Sequence, residues 1–290
     1  MKEINYICAL EKEFPERLKD IPDSPDGIYY IGRLPDPGKP SVAIIGSRNN
    51  SEYGRGAARE FASFLSKEGV QIISGMARGI DGIAQRAALD TGGVSFGILG
   101  CGIDIVYPRE NRDLFERITE KGGIISEYPP GMPPKKNLFP PRNRIISAFC
   151  DILLVIEARE RSGTSITVRH ALEQGRDIYA VPGRITDPLS RGCNILISDG
   201  AGVALSPEAI LEALNSRSFT GAYWKSLINK PKLGGIQAEI MKHLDYMPLN
   251  INELSAKASL PLSDLMEALL ELEIKGLARK VSPGFYVKVF

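Results

Sequence analysis

An aromatic ring and several cations crowd into Phe139-Pro140-Pro141-Arg142-Asn143-Arg144, with Lys135-Lys136 just upstream and the apolar run Ile152-Leu153-Leu154-Val155-Ile156 just downstream. An aromatic face can stack on a nucleobase, and flanking cations can neutralise phosphates, which together make the chemistry of a single-strand nucleic-acid site. The competing reading is a proline-bounded helix start with a buried Phe and solvated arginines.

Four glycine-bearing loops offer the complementary chemistry: Gly46-Ser47-Arg48, Ser74-Gly75-Met76-Ala77-Arg78-Gly79, Gly100-Cys101-Gly102 and Pro182-Gly183-Arg184. Glycine lets backbone amides approach an anion closely, and amides at a helix entry cradle it. Ser47 and Arg48 add a hydroxyl and a charge, and Arg78 beside Gly79 reads as a phosphate contact. Asp81 reads as an N-cap. Ser162-Gly163-Thr164 opens a further helix, either as an anion cradle or as a simple cap. Arg184 and Arg191 fall in a loop with Pro188 and Gly192, where charge is ordinarily solvated.

Catalytic patterns are missing from the sequence. It holds no Gly-x-Ser-x-Gly elbow, no His-Glu-x-x-His, no GxGxxG and no Walker lysine. Glu127 and Glu157 end strands without a base or metal partner in the pattern, and His170 falls inside a helix. The four cysteines, Cys8, Cys101, Cys150 and Cys193, form no CxxC pair and read as small buried hydrophobes in a reducing compartment. With two histidines beside them, a zinc site is not expected. The reading is a binding surface with no catalytic residue, metal or cofactor.

These loops need elements to hold them. Short apolar strands near residues 42–46, 70–74, 94–100, 124–126, 151–157, 177–181 and 203–205 alternate with helices near 54–67, 81–90, 109–121, 143–149, 164–174 and 207–214. That alternation predicts an α/β fold, a Rossmann-like parallel sheet covered by helices on both faces. Every glycine-rich loop then follows the carboxyl end of a strand, where such sheets gather ligands.

The organisation read from the chain is a proline-broken lead-in at 1–40 that packs on the next domain, the Rossmann-like domain at 41–214, a linker at 215–234 and a small domain at 235–290. The last has helical spacing over 236–244, 251–258 and 262–275, a Gly276 stop and a hairpin with a Pro283-Gly284 turn, which is the winged-helix pattern. The formal charge of +1 means that any nucleic-acid site must arise from local clustering. No apolar signal core and no run of membrane-spanning length is present, so the expectation is a soluble cytoplasmic protein.

The ordered set formed by residues 42–48, 74–81, Tyr107-Pro108, Ser126-Glu127, 139–146, Glu157-Ala158, 162–164 and 180–183 resembles the DNA-processing protein A (DprA/Smf) family, from about residue 13 to 214. The resemblance implies an extended Rossmann fold that binds single-stranded DNA, loading of RecA recombinase during natural transformation, and a homodimer formed through the Rossmann domain. It implies DNA contact by Arg48, Lys136 and Phe139. Joined to the loops above, the expected single-strand site comprises Gly46, Ser47, Arg48, Ser74, Gly75, Arg78, Gly79, Lys136, Phe139, Arg142, Asn143, Arg144, Ser162, Gly163 and Thr164. Two departures stand out. Ala84-Gln85 replaces a histidine common after the GID motif, and residues 1–40 match only the link into the Rossmann domain, without the N-terminal helical module of many relatives.

The third helix of the small domain carries Asp264, Glu267, Glu271 and Glu273 against Lys275, which suits a protein contact better than a major groove. Alternative readings are a nucleotide-processing, phosphoribohydrolase-like enzyme of the same superfamily, a nicotinamide oxidoreductase and a winged-helix transcription factor. The segment Arg161-Ser162-Gly163-Thr164-Ser165-Ile166-Thr167 lacks the glycine run and the glutamate that the phosphoribohydrolases carry.

Overall fold

The computed structural model describes residues 3–217, 235–244, 248–275 and 277–288. The chain divides into two compact units, Met1–Arg217 and Ser218–Phe290.

The large unit contains β1 (Asn5–Cys8), α1 (Glu16–Lys19), β2 (Gly27–Gly32), β3 (Ser41–Ile45), α2 (Glu52–Lys67), β4 (Gln71–Ser74), α3 (Ile80–Asp90), β5 (Ser95–Leu99), α4 (Arg112–Lys121), β6 (Gly123–Ser126), α5 (Phe139–Ala148), β7 (Ile152–Val155), α6 (Thr164–Glu173), β8 (Asp177–Ala180), α7 (Arg191–Ser198), β9 (Gly202–Val203) and α8 (Pro207–Arg217). Among the described residues the strands form one sheet in the order β1-β2-β6-β5-β4-β3-β7-β8-β9. From β6 to β9 every pairing is parallel.

The strands are apolar throughout because both faces are covered. Along β3, Val42 and Ile44 pack under α2, α3 and α8, while Ala43 and Ile45 pack on the opposite face with Ile145 and Ile146 of α5. On α2 the buried positions Gly54, Ala57, Ala58, Phe61, Ala62 and Leu65 recur at helical spacing. Its first turn is closed by Ser51, whose Oγ accepts from the Gly54 amide at 3.1 Å.

The lead-in does more than pack on the sheet. It contributes β1 and β2, and both β1–β2 and β2–β6 pair antiparallel, so the sheet is not wholly parallel. The added strands occupy the edge that β6 would otherwise leave open. Phe14 and Leu18 are buried in the same core as the sheet. Arg17 fastens this segment, with Nη2 2.7 Å from Asp151 Oδ1 and Nη1 donating to the Phe149 carbonyl at 3.2 Å.

Two element limits differ from the sequence expectation. α5 begins at Phe139 rather than near Asn143, because Pro140 and Pro141 occupy first-turn positions where a missing N–H is harmless. Arg191 opens α7, a short helix in a segment read as loop.

The small unit contains α9 (Gly235–His243), β10 (Leu249–Asn250), α10 (Ile251–Ala258), α11 (Leu262–Ile274), β11 (Ala278–Ser282) and β12 (Phe285–Lys288). Its strands order as β10-β12-β11. Ile240, Leu254, Leu265, Leu269, Leu272 and Tyr286 form its own core. This is the winged-helix arrangement that the helical spacing implied. α8 runs through Arg217, so the expected linker begins inside a helix; residues 218–234 and the expected stop at Gly276 lie outside the described residues.

Candidate nucleic-acid interface

The strand order places the site. From β3 the chain proceeds outward through β4, β5 and β6 on one side, and β7, β8 and β9 extend the other side. Neighbouring strands β3 and β7 therefore diverge in their connections, and in open α/β sheets the crevice at such a point receives ligands. Gly46-Ser47-Arg48 follows β3, and Arg159, Ser162, Gly163 and Thr164 follow β7. Together with Lys136, Phe139 and Asn143 they line one cavity of about 540 Å³.

Close backbone packing shapes this crest. The Ser47 amide donates to the Glu157 carbonyl at 2.8 Å, and the Ser47 carbonyl accepts from the Ile80 amide at 3.2 Å. Gly79 has φ 74° and presses on that same turn; a Cβ there would lie 2.3 Å from the Ser47 carbonyl oxygen. No other residue type fits without moving the loop. Glu157 is fully buried and accepts from the Ser51 amide at 3.0 Å and from its hydroxyl, so it holds the turn that delivers Arg48.

Phe139 is half-buried at the carboxyl edge of β5. It reaches that place because Gly100 has no side chain; a Cβ there would meet the ring at 2.7 Å. Tyr107 stacks on it with centroids 5.6 Å apart and planes at 28°. The Arg48 guanidinium carbon lies 5.6 Å from the ring centroid and the Arg142 carbon 5.9 Å. Arg48 and Lys136 are exposed beside the ring. A face of this kind offers a base a stacking platform and its phosphate two mobile cations. Tyr107 is 43% exposed and was not among the expected site residues. Its signal in the sequence was its place in the Tyr107-Pro108 motif, with no charge to mark it.

Arg142 and Arg144 do different work from that expected of them. Arg142 is 4% exposed and donates from Nη1 to the carbonyls of Gly75, at 2.9 Å, and Ile98. Arg144 is 7% exposed and grips Glu127 with both terminal nitrogens, at 2.9 and 2.7 Å, while its Nε donates to the Asp23 carbonyl at 2.7 Å. Arg142 is therefore an internal strut beneath the ring, and Arg144 clamps the lead-in to α5. Ser74 likewise is buried, with its hydroxyl donating to the Ile44 carbonyl at 2.7 Å. Asn143 remains at the cavity and accepts from Arg142 Nε at 3.3 Å.

Asp81 is not the N-cap of α3. It lies in the first turn, and its carboxylate accepts from the Gly75 amide at 3.1 Å. Loss of water pushes the Asp81 carboxyl up, against the pull of Arg142, the Gly75 and Ala77 amides, and Arg48. The same loss of water brings Arg142 down to about 10, against the pull of Asp81, which leaves it charged at neutral pH. A fixed positive charge thus sits directly under the aromatic platform.

At the start of α6 no side chain caps the first amides. The Ser162 hydroxyl there is buried without a hydrogen-bond partner, and Thr164 and Thr167 are buried beside it. Free amides and an unpaired hydroxyl at a helix entry suit an anion. Arg78, in contrast, turns to Glu110, with Nη2 and Oε2 2.5 Å apart, so part of its charge is spoken for. It still lines the neighbouring cavity of about 830 Å³ on the other side of the Phe139 ring.

Other groups lie outside the site. Burial pushes Cys101 up to about 11, and Cys150 and Cys193 to about 12, so these remain thiols. His170 faces Glu173 on α6, with Nδ1 3.5 Å from Oε2. No group of three or more His, Cys, Asp or Glu able to hold a metal occurs among the described residues.

Residues 5–215 match the family model described as DNA recombination-mediator protein A, and residues 229–284 match the DprA winged helix domain. The chain belongs to the DNA recombination-mediator protein A family. Its similarity to protein Smf of Escherichia coli (strain K12) is 36% identity over 98% of this chain and 78% of the relative. To the DNA processing protein DprA of Streptococcus pneumoniae it is 42% over 71% of this chain and 72% of the relative. The X-ray structure of the Streptococcus pneumoniae protein superposes with a TM-score of 0.69 at 40% identity, covering 72% of this chain and 74% of that one. DNA processing protein A of Helicobacter pylori, solved for its single-stranded DNA binding mode, superposes with a TM-score of 0.66 at 28% identity, covering 75% and 99%. Gln85, which stands where many DprA relatives carry a histidine, is fully buried beneath this site and donates to the Phe96 carbonyl at 3.0 Å. It makes no part of the crest.

Proposed function

We propose that this chain is a single-stranded DNA-binding recombination mediator that protects incoming strands and loads RecA recombinase during natural transformation. The observation that carries the reading is the half-buried Phe139 ring stacked on the exposed Tyr107, with Arg48 against the ring and Lys136 beside it, set at the switch point of the sheet. Phe139 stacks a base, Arg48 and Lys136 take phosphates, and the Ser47 hydroxyl together with the α6 entry at Ser162-Gly163-Thr164 receives neighbouring phosphates. Gly75, Gly79, Arg142 and Arg144 hold these groups in place, and Arg78 contributes a charge shared with Glu110. The site binds without a cofactor. The large unit mediates a homodimer, and the protein works in the cytoplasm; among the described residues no helix is long and apolar enough to cross a membrane. The winged-helix unit serves a protein contact rather than duplex DNA.

Fluorescence anisotropy with a labelled single strand and its duplex, across a salt series, tests the reading. The expected result is a salt-sensitive preference for the single strand that is lost in Phe139→Ala and in Arg48→Ala. Equal affinity for duplex would overturn it and would bring nucleoside-monophosphate hydrolysis forward as the activity to assay.

A further inference from the structure

We propose that the bound strand continues past the Phe139 platform into a second groove, where Arg159, Arg161 and the exposed Ile185 hold additional nucleotides. This rests on the single-strand reading above and lengthens its footprint in one direction along the carboxyl edge of the sheet.

The groove has a volume of about 540 Å³ and is lined by Arg159, Glu160, Arg161, the Ile185–Pro188 loop after β8, and Arg191 at the start of α7. Arg159 also lines the cavity that holds Arg48, Lys136 and Phe139, so the two spaces share a wall residue and adjoin. The groove is cationic on balance: its three arginines, Arg159, Arg161 and Arg191, face two carboxylates, Glu160 and Asp187. Glu160 is engaged by Arg191, 3.0 Å away, and Asp187 Oδ1 accepts from the Leu189 amide at 2.9 Å. Arg159 and Arg161 are exposed, and neither has a carboxylate partner among the described residues.

Ile185 is 89% exposed at this cationic place. An aliphatic side chain left in water between arginines has no folding benefit, whereas apolar side chains of this size pack on or between bases. The walls are preformed. The Ala158 amide donates to the Leu189 carbonyl and the Gly192 amide to the Ala158 carbonyl, each at 2.8 Å. The Asn194 side chain brackets Gly183 from both sides, at 3.2 and 3.1 Å. Gly192 is required by the fit, since a Cβ would lie 2.6 Å from the carbonyl oxygens of Ala158 and Arg159. A rigid groove that keeps unpaired arginines and an uncovered aliphatic next to a phosphate site suits a flexible polyanion with apolar faces, which is a single strand.

The test compares oligothymidylates of about 5 and about 16 nucleotides on the full chain, within the range of site sizes found for single-strand grooves. Wild type is compared with Arg161→Ala and with Ile185→Ser. Wild type is expected to bind the longer oligomer more tightly. Arg161→Ala should lose severalfold on the longer oligomer, with its salt slope reduced by about 0.7, and should keep wild-type affinity for the shorter one. Ile185→Ser should lose severalfold on the longer oligomer with no change in salt slope. Equal wild-type affinity for both lengths, or equal losses on both, would overturn the extension while leaving the Phe139 site standing. Failure of wild type to bind either oligomer would overturn the single-strand reading and the extension together.

Discussion

The crest of the large unit and the outer face of α11 in the winged-helix unit are both solvent-facing surfaces that the fold offers to a partner, and they carry opposite chemistry. At the crest, exposed Arg48 and Lys136 flank the Phe139–Tyr107 pair above the buried cation of Arg142. On α11, Asp264, Glu267 and Glu271 are exposed beside Leu262, Met266 and Leu270, which are 43%, 55% and 59% exposed. A winged helix commonly reads DNA with its third helix, yet this one would meet phosphates with carboxylates. The lesson is that charge placement and not fold decides which surface takes nucleic acid. The near-zero net charge of the whole chain hides both surfaces by adding them together.

The largest effect expected on this contrast comes from beneath the crest. Arg142→Ala would take away the donor that the buried Gly75 and Ile98 carbonyls share. Leaving a buried polar group unsatisfied costs about 1–3 kcal/mol each, to be read from chemical denaturation. Unchanged stability would mean that Arg142 is a solvent-facing DNA contact after all. Phe139→Ala should cost about 1–3 kcal/mol of single-strand binding, measured by anisotropy, because the stacked base loses its platform. A chain ending at Arg217 should keep that affinity, since the crest lies wholly in the large unit; a large loss would place part of the strand on the winged helix. Arg48→Ala should weaken all sequences alike and lower the salt slope by about one.

The smallest effect belongs to a surface pair that lines neither of the crest cavities. Arg86 holds the Asp113 carboxyl down to about 2 through a hydrogen bond and its charge. Because the folded value lies below the ordinary 3.8, the pair's stabilisation is present above that value and fades as the pH falls towards about 2. The carboxylate is largely in water, so Asp113→Asn should cost no more than about 0.5 kcal/mol at neutral pH and nothing in strong acid, as thermal unfolding would show.

Much of this protein was determined by the sequence alone. Alternating short apolar runs and helical stripes specify a covered α/β sheet, because each element can bury only the face its period provides. The glycines of the loops were legible for the same local reason, as at Gly79, whose backbone conformation and close neighbour exclude a side chain. Phe139, Arg48 and Lys136 stood out because an aromatic among cations is uncommon and all three remain at the surface. Tertiary structure decided what no local pattern carries. Arg142 and Arg144 look like solvated cations until the Gly75 and Ile98 carbonyls and Glu127 arrive from distant segments to bond them in the interior. Tyr107 becomes part of the platform only when the loop after β5 folds against the start of α5, and the lead-in adds β1 and β2 only because the sheet leaves an edge for them at β6. The physical reason is the same in each case. Periodicity reports which side of an element avoids water, whereas the burial of a charge or the stacking of a ring depends on a partner far away in the chain, whose arrival the local sequence does not encode.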